Sequence, residues 1–153
     1  MRRAIEIQEG NMNIAVIYLT MTGHSKKIAE AIASETGTQA QDIKTDPKLN
    51  GVDMLFIVGG IYGGKSDAKL VNYIKNLNGN RVKKAVIVTS SGSGKTRQNK
   101  VREELTKNGV EVVADEYTCK GRFLFFDLKR PNQSDIDGAV AFAKKVVGDV
   151  KTD

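Results

Sequence analysis

Three short stretches of the chain are apolar at nearly every position: Ile14 to Tyr18, Met54 to Val58 and Ala85 to Thr89. Runs of this length, β-branched or aromatic and apolar on both faces, predict buried parallel strands covered on each side by helices. Two weaker strands are predicted over 38–43 and 110–118. Between the strands the apolar positions change to helical spacing. Residues 23–35 carry Ile28, Ala31 and Ile32 on one face, and residues 67–77 carry Leu70, Val71, Ile74 and Leu77. Residues 96–108 carry Val101 and Leu105 and run into Gly109 as a C′ residue. Residues 133–147 carry Ile136, Val140, Ala143 and Val147 behind Asn132 as an N-cap. This alternation predicts an α/β fold, a doubly wound three-layer sandwich around a mostly parallel five-stranded sheet.

Length and composition narrow the picture without changing it. The 153 residues make one domain over 13–148, with an N-terminal extension at 1–12 and a tail at 149–153. The stretch from Gln8 to Met12 can be encoded by purine-rich codons resembling a ribosome-binding site, so Met12 is an expected natural start in a bacterium or archaeon. No targeting segment is recognisable in 1–12, and no apolar run approaches the roughly 18 residues of a membrane span. One cysteine and one histidine exclude an internal disulfide framework and most Cys/His metal sites, and fit a reducing cytoplasm.

Charge is the unusual feature. The chain carries a formal +6, with an isoelectric point near 9.4. The basic residues are spread out and read as solvated helix faces and strand ends. Basic and aromatic residues do not interleave as single-stranded nucleic-acid binding requires. No nucleic-acid partner is expected; a colourless binding module of that kind is the outlying alternative. Tyr18-Leu19-Thr20 ends the first strand without the acidic metal ligands of a receiver domain.

In doubly wound sheets ligands bind beyond the carboxyl ends of the strands, which puts the interest in three loops. Thr20, Met21, Thr22, Gly23, His24 and Ser25 follow the first strand. Hydroxyls and a glycine at a helix start suit a phosphate, through converging backbone N–H groups and the helix dipole. Capping of the helix by Thr22 or Ser25 is the competing reading. His24 is expected to be a surface residue rather than a catalytic group. After the second strong strand come Gly59, Gly60, Ile61, Tyr62, Gly63, Gly64 and Lys65, where glycines admit a flat ligand and Tyr62 can stack on it or close the core. After the third come Ser90, Ser91, Gly92, Ser93, Gly94, Lys95 and Thr96. Their Gly-Lys-Thr ending is like that of a nucleotide P-loop, but that pattern requires glycine where Thr89 stands. Cys119 follows the last strand between an inert buried role and a thiol activated by Lys120 and Arg122.

Thr20-x-Thr22-Gly23-x-Ser25 after a first buried strand resembles the FMN phosphate loop of flavodoxins, and the resemblance extends over about residues 13–148. It implies a flavodoxin-like sheet in the order 2-1-3-4-5 with helices on both faces. It implies FMN as cofactor, with Thr20, Thr22, Gly23 and Ser25 on the phosphate and Met21 and His24 contributing backbone. By the same resemblance Gly60, Ile61, Tyr62, Gly63 and Gly64 flank the flavin ring, a backbone group among them facing flavin N5. Ser90 to Lys95 border its pyrimidine edge or second face, where many flavodoxins carry a tyrosine that this chain lacks. Cys119-x-Gly121-x-Phe123 resembles a segment of some small flavodoxin-domain proteins. The implied function is a flavodoxin-type electron carrier, monomeric or weakly dimeric, with redox partner proteins that its charge suggests are acidic. Typical flavodoxins are acidic, so this basic chain is expected to hold the reduced anionic flavin at a less negative potential. The alternative on the same fold is a flavin-dependent oxidoreductase acting on a quinone or, like the basic protoporphyrinogen-oxidase branch, on a porphyrinogen.

Overall fold

The three apolar runs form the centre of one sheet. A computed structural model describes residues 12–21, 23–62, 65–91, 93, 96–120 and 132–152, with Tyr62 and Thr152 as backbone only. β1 (Ile14–Leu19), β3 (Val52–Tyr62) and β5 (Val82–Ser91) pair in parallel, with β3 between the other two. β2 (Ala40–Asp42) lies beside β1, and β6 (Glu111–Val112) and β7 (Tyr117–Lys120) both lie beside β5, again in parallel. The path β2-β1-β3-β5-β6 is the expected 2-1-3-4-5 order, with β6 and β7 as two pieces of the fifth strand. β4 (Lys65–Ser66) folds back antiparallel on the end of β3.

Alternation along each strand sends side chains to two separate cores. Ile17, Leu55, Ile57 and Ile87 face one side with Leu70 and Ile74 of α2 (Ala68–Lys75) and Val101 and Leu105 of α3 (Asn99–Lys107). Val16, Phe56, Val58 and Val86 face the other with Ile28 and Ile32 of α1 (His24–Thr36) and Ala139 and Ala143 of α4 (Gln133–Thr152). Each fully buried large side chain contributes roughly 1.5–3 kcal/mol, which is why three such strands fix the sheet centre. The result is the three-layer sandwich the pattern predicts. Among the described residues no helix is long and apolar enough to cross a membrane.

The departures from expectation have local causes. The strand expected over 38–43 shortens because Asp42 accepts a hydrogen bond from the Lys44 backbone at 2.9 Å and starts a 3₁₀ turn over Ile43–Thr45. The strand expected over 110–118 breaks where Ala114 takes a φ of 65° and Glu116 turns inward. α1 ends at Gly37 in the left-handed conformation, and Gly109 ends α3 the same way, as its predicted C′ role requires. Asn132 caps α4 as predicted: its Oδ1 accepts from the Asp135 N–H while Asp135 Oδ2 accepts from the Asn132 N–H, both at 2.9 Å. α4 runs beyond the predicted 147 to Thr152, with Val147 and Val150 packed on the sheet.

Candidate functional site

The first loop turns sharply out of β1 into α1. Gly23 stands at the helix start with φ 91°, a conformation that favours glycine. Its N–H donates to Thr20 Oγ1 at 2.9 Å, so Thr20 shapes the turn. Met21 is exposed. Ser25 is fully buried, and its hydroxyl has no hydrogen-bond partner among the described residues. His24, expected at the surface, is buried instead, because the tight turn at Gly23 carries the first helical residue inward. Lys26 and Lys27 follow and are exposed.

The four helix starts differ in one respect. Asp67 caps α2, accepting from the Lys69 N–H at 2.8 Å. Asp135 lies in the first turn of α4. At α3 the Gln98 side chain makes no cap, and Glu116 from the β6–β7 connection supplies the carboxylate, its Oε2 accepting from the Gln98 N–H at 2.8 Å. α1 has no acid in its first turn and no side-chain cap among the described residues. Its N–H groups and the positive end of its dipole therefore meet neither a first-turn acid nor a capping side chain among the described residues. A dianionic phosphate ester fits there, and the orphaned Ser25 hydroxyl is a donor that such a group would satisfy.

The second loop is shorter than expected. Gly59, Gly60 and Ile61 remain in β3, paired with Thr89, Ser90 and Ser91, and the Ile61 side chain is buried. The buried Ile61 side chain is therefore not available to a ligand, which leaves only its backbone for the expected role. Gly59 is packed closely: a Cβ there would lie 3.0 Å from both Gln98 Nε2 and Leu70 Cδ2. The third loop likewise starts later than expected. Ser90 and Ser91 are buried strand residues, paired with Cys119 and Lys120 of β7. Ser93 and Thr96 lie within hydrogen-bonding distance, their hydroxyls 3.2 Å apart. The helix begins only at Asn99, three residues after Thr96, and its dipole meets Glu116. Both facts remove the P-loop likeness. Thr22, Gly63, Gly64, Gly92, Gly94 and Lys95 lie outside the described residues, as do the Tyr62 side chain and the segment from Gly121 to Pro131, with Arg122 and Phe123.

The second and third loops are joined through residues that the sequence reading did not place in a site. Gln98 is fully buried; its Oε1 accepts from Ser66 Oγ of β4, and its Nε2 reaches the Gly60 carbonyl at 3.5 Å. Thr89 Oγ1 also donates to Glu116 Oε2, and Arg102 faces Glu116 Oε1 at 3.5 Å. The only local signal for this cluster was an acid inside a weak strand pattern. Cys119 is buried, in line with the inert reading. A cleft of about 370 Å³ opens between Lys65 and Ser66 on one side and Thr96, Arg97, Asn99 and Lys100 on the other. Lys65 and Arg97 have no ion-pair partner among the described residues, whereas Lys100 pairs with Glu103 and Glu104. A second cleft of about 380 Å³, between residues 43–49 and α2, is lined by none of the three loops. No group of three metal-ligating side chains occurs among the described residues.

Comparison with known proteins agrees with this arrangement. Flavodoxin 2 from Bacillus cereus superposes with a TM-score of 0.66 at 16% identity, over 90% of this chain and 99% of that one. A flavodoxin from the domain Archaea gives 0.64 at 19% identity, over 92% and 99%. An NAD(P)H:quinone oxidoreductase from Methanothermobacter marburgensis gives 0.60 at 14%, over 88% and 96%. At these identities the superpositions show the fold alone. Among curated proteins, none is similar to this chain by sequence. The family described as "Flavodoxin domain" matches residues 15–125, from β1 through β7, and the chain belongs to that family.

Proposed function

We propose that this protein binds FMN and carries electrons between redox partners. The observation that carries this reading is the start of α1: among the described residues it has no first-turn acid and no side-chain cap, it is shaped by Thr20 and Gly23, and the buried Ser25 hydroxyl beside it has no hydrogen-bond partner. Thr20, Gly23 and Ser25 hold the phosphate, and Thr22 and the backbone of Met21 and His24 complete the loop. Lys26 and Lys27 add positive potential next to it. The strand ends at Gly60–Tyr62 and Ser90–Ser91 border the ring, and Tyr62 stacks on it. When bound, FMN supplies the redox chemistry, and the protein tunes it through position and local charge. The exposed cations Lys65 and Arg97 beside the second and third loops suit an acidic partner surface.

Titration of the purified protein with FMN, followed by flavin absorbance and fluorescence quenching, tests the reading. Tight, quenched binding that is lost in a Thr22→Ala, Tyr62→Ala double variant is expected. No quenching with FMN in large excess would leave the fold standing and remove the redox function.

A further inference from the structure

A glutamine with no exposed surface is costly unless its amide is used, because an unpaired buried amide loses its hydrogen bonds to water. Gln98 is engaged at its backbone N–H and at both polar atoms of its amide. Its N–H goes to Glu116 Oε2, its Oε1 accepts from Ser66 Oγ at 2.5 Å, and its Nε2 reaches the Gly60 carbonyl at 3.5 Å. The amide also lies directly against Gly59, where a Cβ would approach Nε2 to 3.0 Å. One side chain thus touches both arms of the second loop, the end of β3 and the short β4, and closes the far end of the third loop. Glu116 fixes it from below and is itself held by Thr89 of β5 and Arg102 of α3. An apolar residue of similar volume would fill the space but would leave the Ser66 hydroxyl and the Gly60 carbonyl without this link.

We infer that Gln98, held by Glu116, is a positioning residue: it turns the Gly60 carbonyl inward and ties the second loop to the third, so that the ring pocket is formed before its ligand arrives. This rests on the flavin reading proposed above. One consequence is that the two loops loosen together or not at all.

Two variants test the link from opposite sides. Gln98→Met keeps the volume and removes the amide; Ser66→Ala removes one bond at a partly exposed position and spares the core, with Ser66→Thr restoring the hydroxyl. Amide hydrogen exchange of the ligand-free protein is expected to rise in both 59–66 and 91–98 for Gln98→Met and Ser66→Ala, and to return toward wild type for Ser66→Thr. Affinity for riboflavin and for FMN is expected to fall by the same factor, about tenfold, the scale of one lost hydrogen bond. The midpoint potential of bound flavin is expected to shift in the same variants. Equal penalties on riboflavin and FMN separate the ring side from the phosphate side. Exchange that rises in only one of the two loops, or a potential and affinities unchanged in both variants, would overturn the inference. If the wild type binds no FMN the functional reading fails, and the exchange measurement still decides whether the loops are coupled.

Discussion

Two helices of this protein begin just beyond the carboxyl ends of central strands, and each is preceded by a loop rich in glycine and hydroxyl residues. In sequence both carry anion-site features: the earlier has Thr20-x-Thr22-Gly23-x-Ser25, and the later ends in Gly94-Lys95-Thr96 but lacks the glycine a P-loop needs where Thr89 stands. The structure separates the two by what meets each helix start. At α3 the positive helix end is met by Glu116, which lies 18 residues away from Gln98 in the chain. At α1 nothing of the kind is present among the described residues, and a buried Ser25 hydroxyl lacks a partner. A helix start binds an external anion only when the protein has not already supplied one.

The largest expected effect comes from opening the occupied start. Glu116→Ala removes the acceptor for both the Gln98 N–H and the Thr89 hydroxyl and should lower stability by about 2–4 kcal/mol, read as a shift in the urea midpoint. A loss within experimental error would mean that Glu116 is not the anion of α3. Closing in on the other start, Ser25→Ala should leave the ligand-free protein as stable as before, or slightly more so, because an unsatisfied group is removed. FMN affinity should fall by roughly 10- to 100-fold, the scale of a hydrogen bond to a charged group. Riboflavin, which lacks the phosphate, should bind that variant as it binds the wild type. A smaller change follows from Lys26→Glu, at an exposed position in the first turn of α1. The acid should stabilise the ligand-free helix by about 0.3–1 kcal/mol and weaken FMN; strengthened FMN binding would contradict a phosphate at this helix end.

The smallest effect lies away from both starts and sets a reference for them. The Tyr73 hydroxyl of α2 donates to the Pro47 carbonyl, and burial, aided by the nearby Asp46 charge, pushes its pKa up from 10.0 to about 12. The folded state therefore prefers the neutral phenol. Its contribution is complete below about pH 10 and is lost as pH rises through about 12. Tyr73→Phe should lose less stability than the wild type over that window in alkaline unfolding, and identical pH profiles would show that the shift has no energetic weight.

Much of the fold was legible in the chain because it depends on local pattern. Five-residue apolar runs marked β1, β3 and β5, and the spacing of Leu70, Val71 and Ile74 or of Ile28 and Ile32 marked helices and the faces they bury. Misreadings fell where a contact from afar decides. Gly59 to Ile61 read as loop because glycines weaken a strand, yet pairing with Thr89 to Ser91 extends β3 through them. His24 read as exposed because a lone polar residue at a helix start usually is, whereas the turn at Gly23 buries it.

Neighbours within a few residues encode the alternation of strands and helices, the two-faced burial of the central strands and the Thr20-x-Thr22-Gly23-x-Ser25 loop. Packing between distant parts of the chain settles which helix start receives a carboxylate and which residues join the loops. Glu116, Thr89, Gln98, Ser66 and Gly60 meet from five separate points of the chain. No periodicity encodes that meeting, because it arises when the packed sheet brings strand ends and helix starts to one edge.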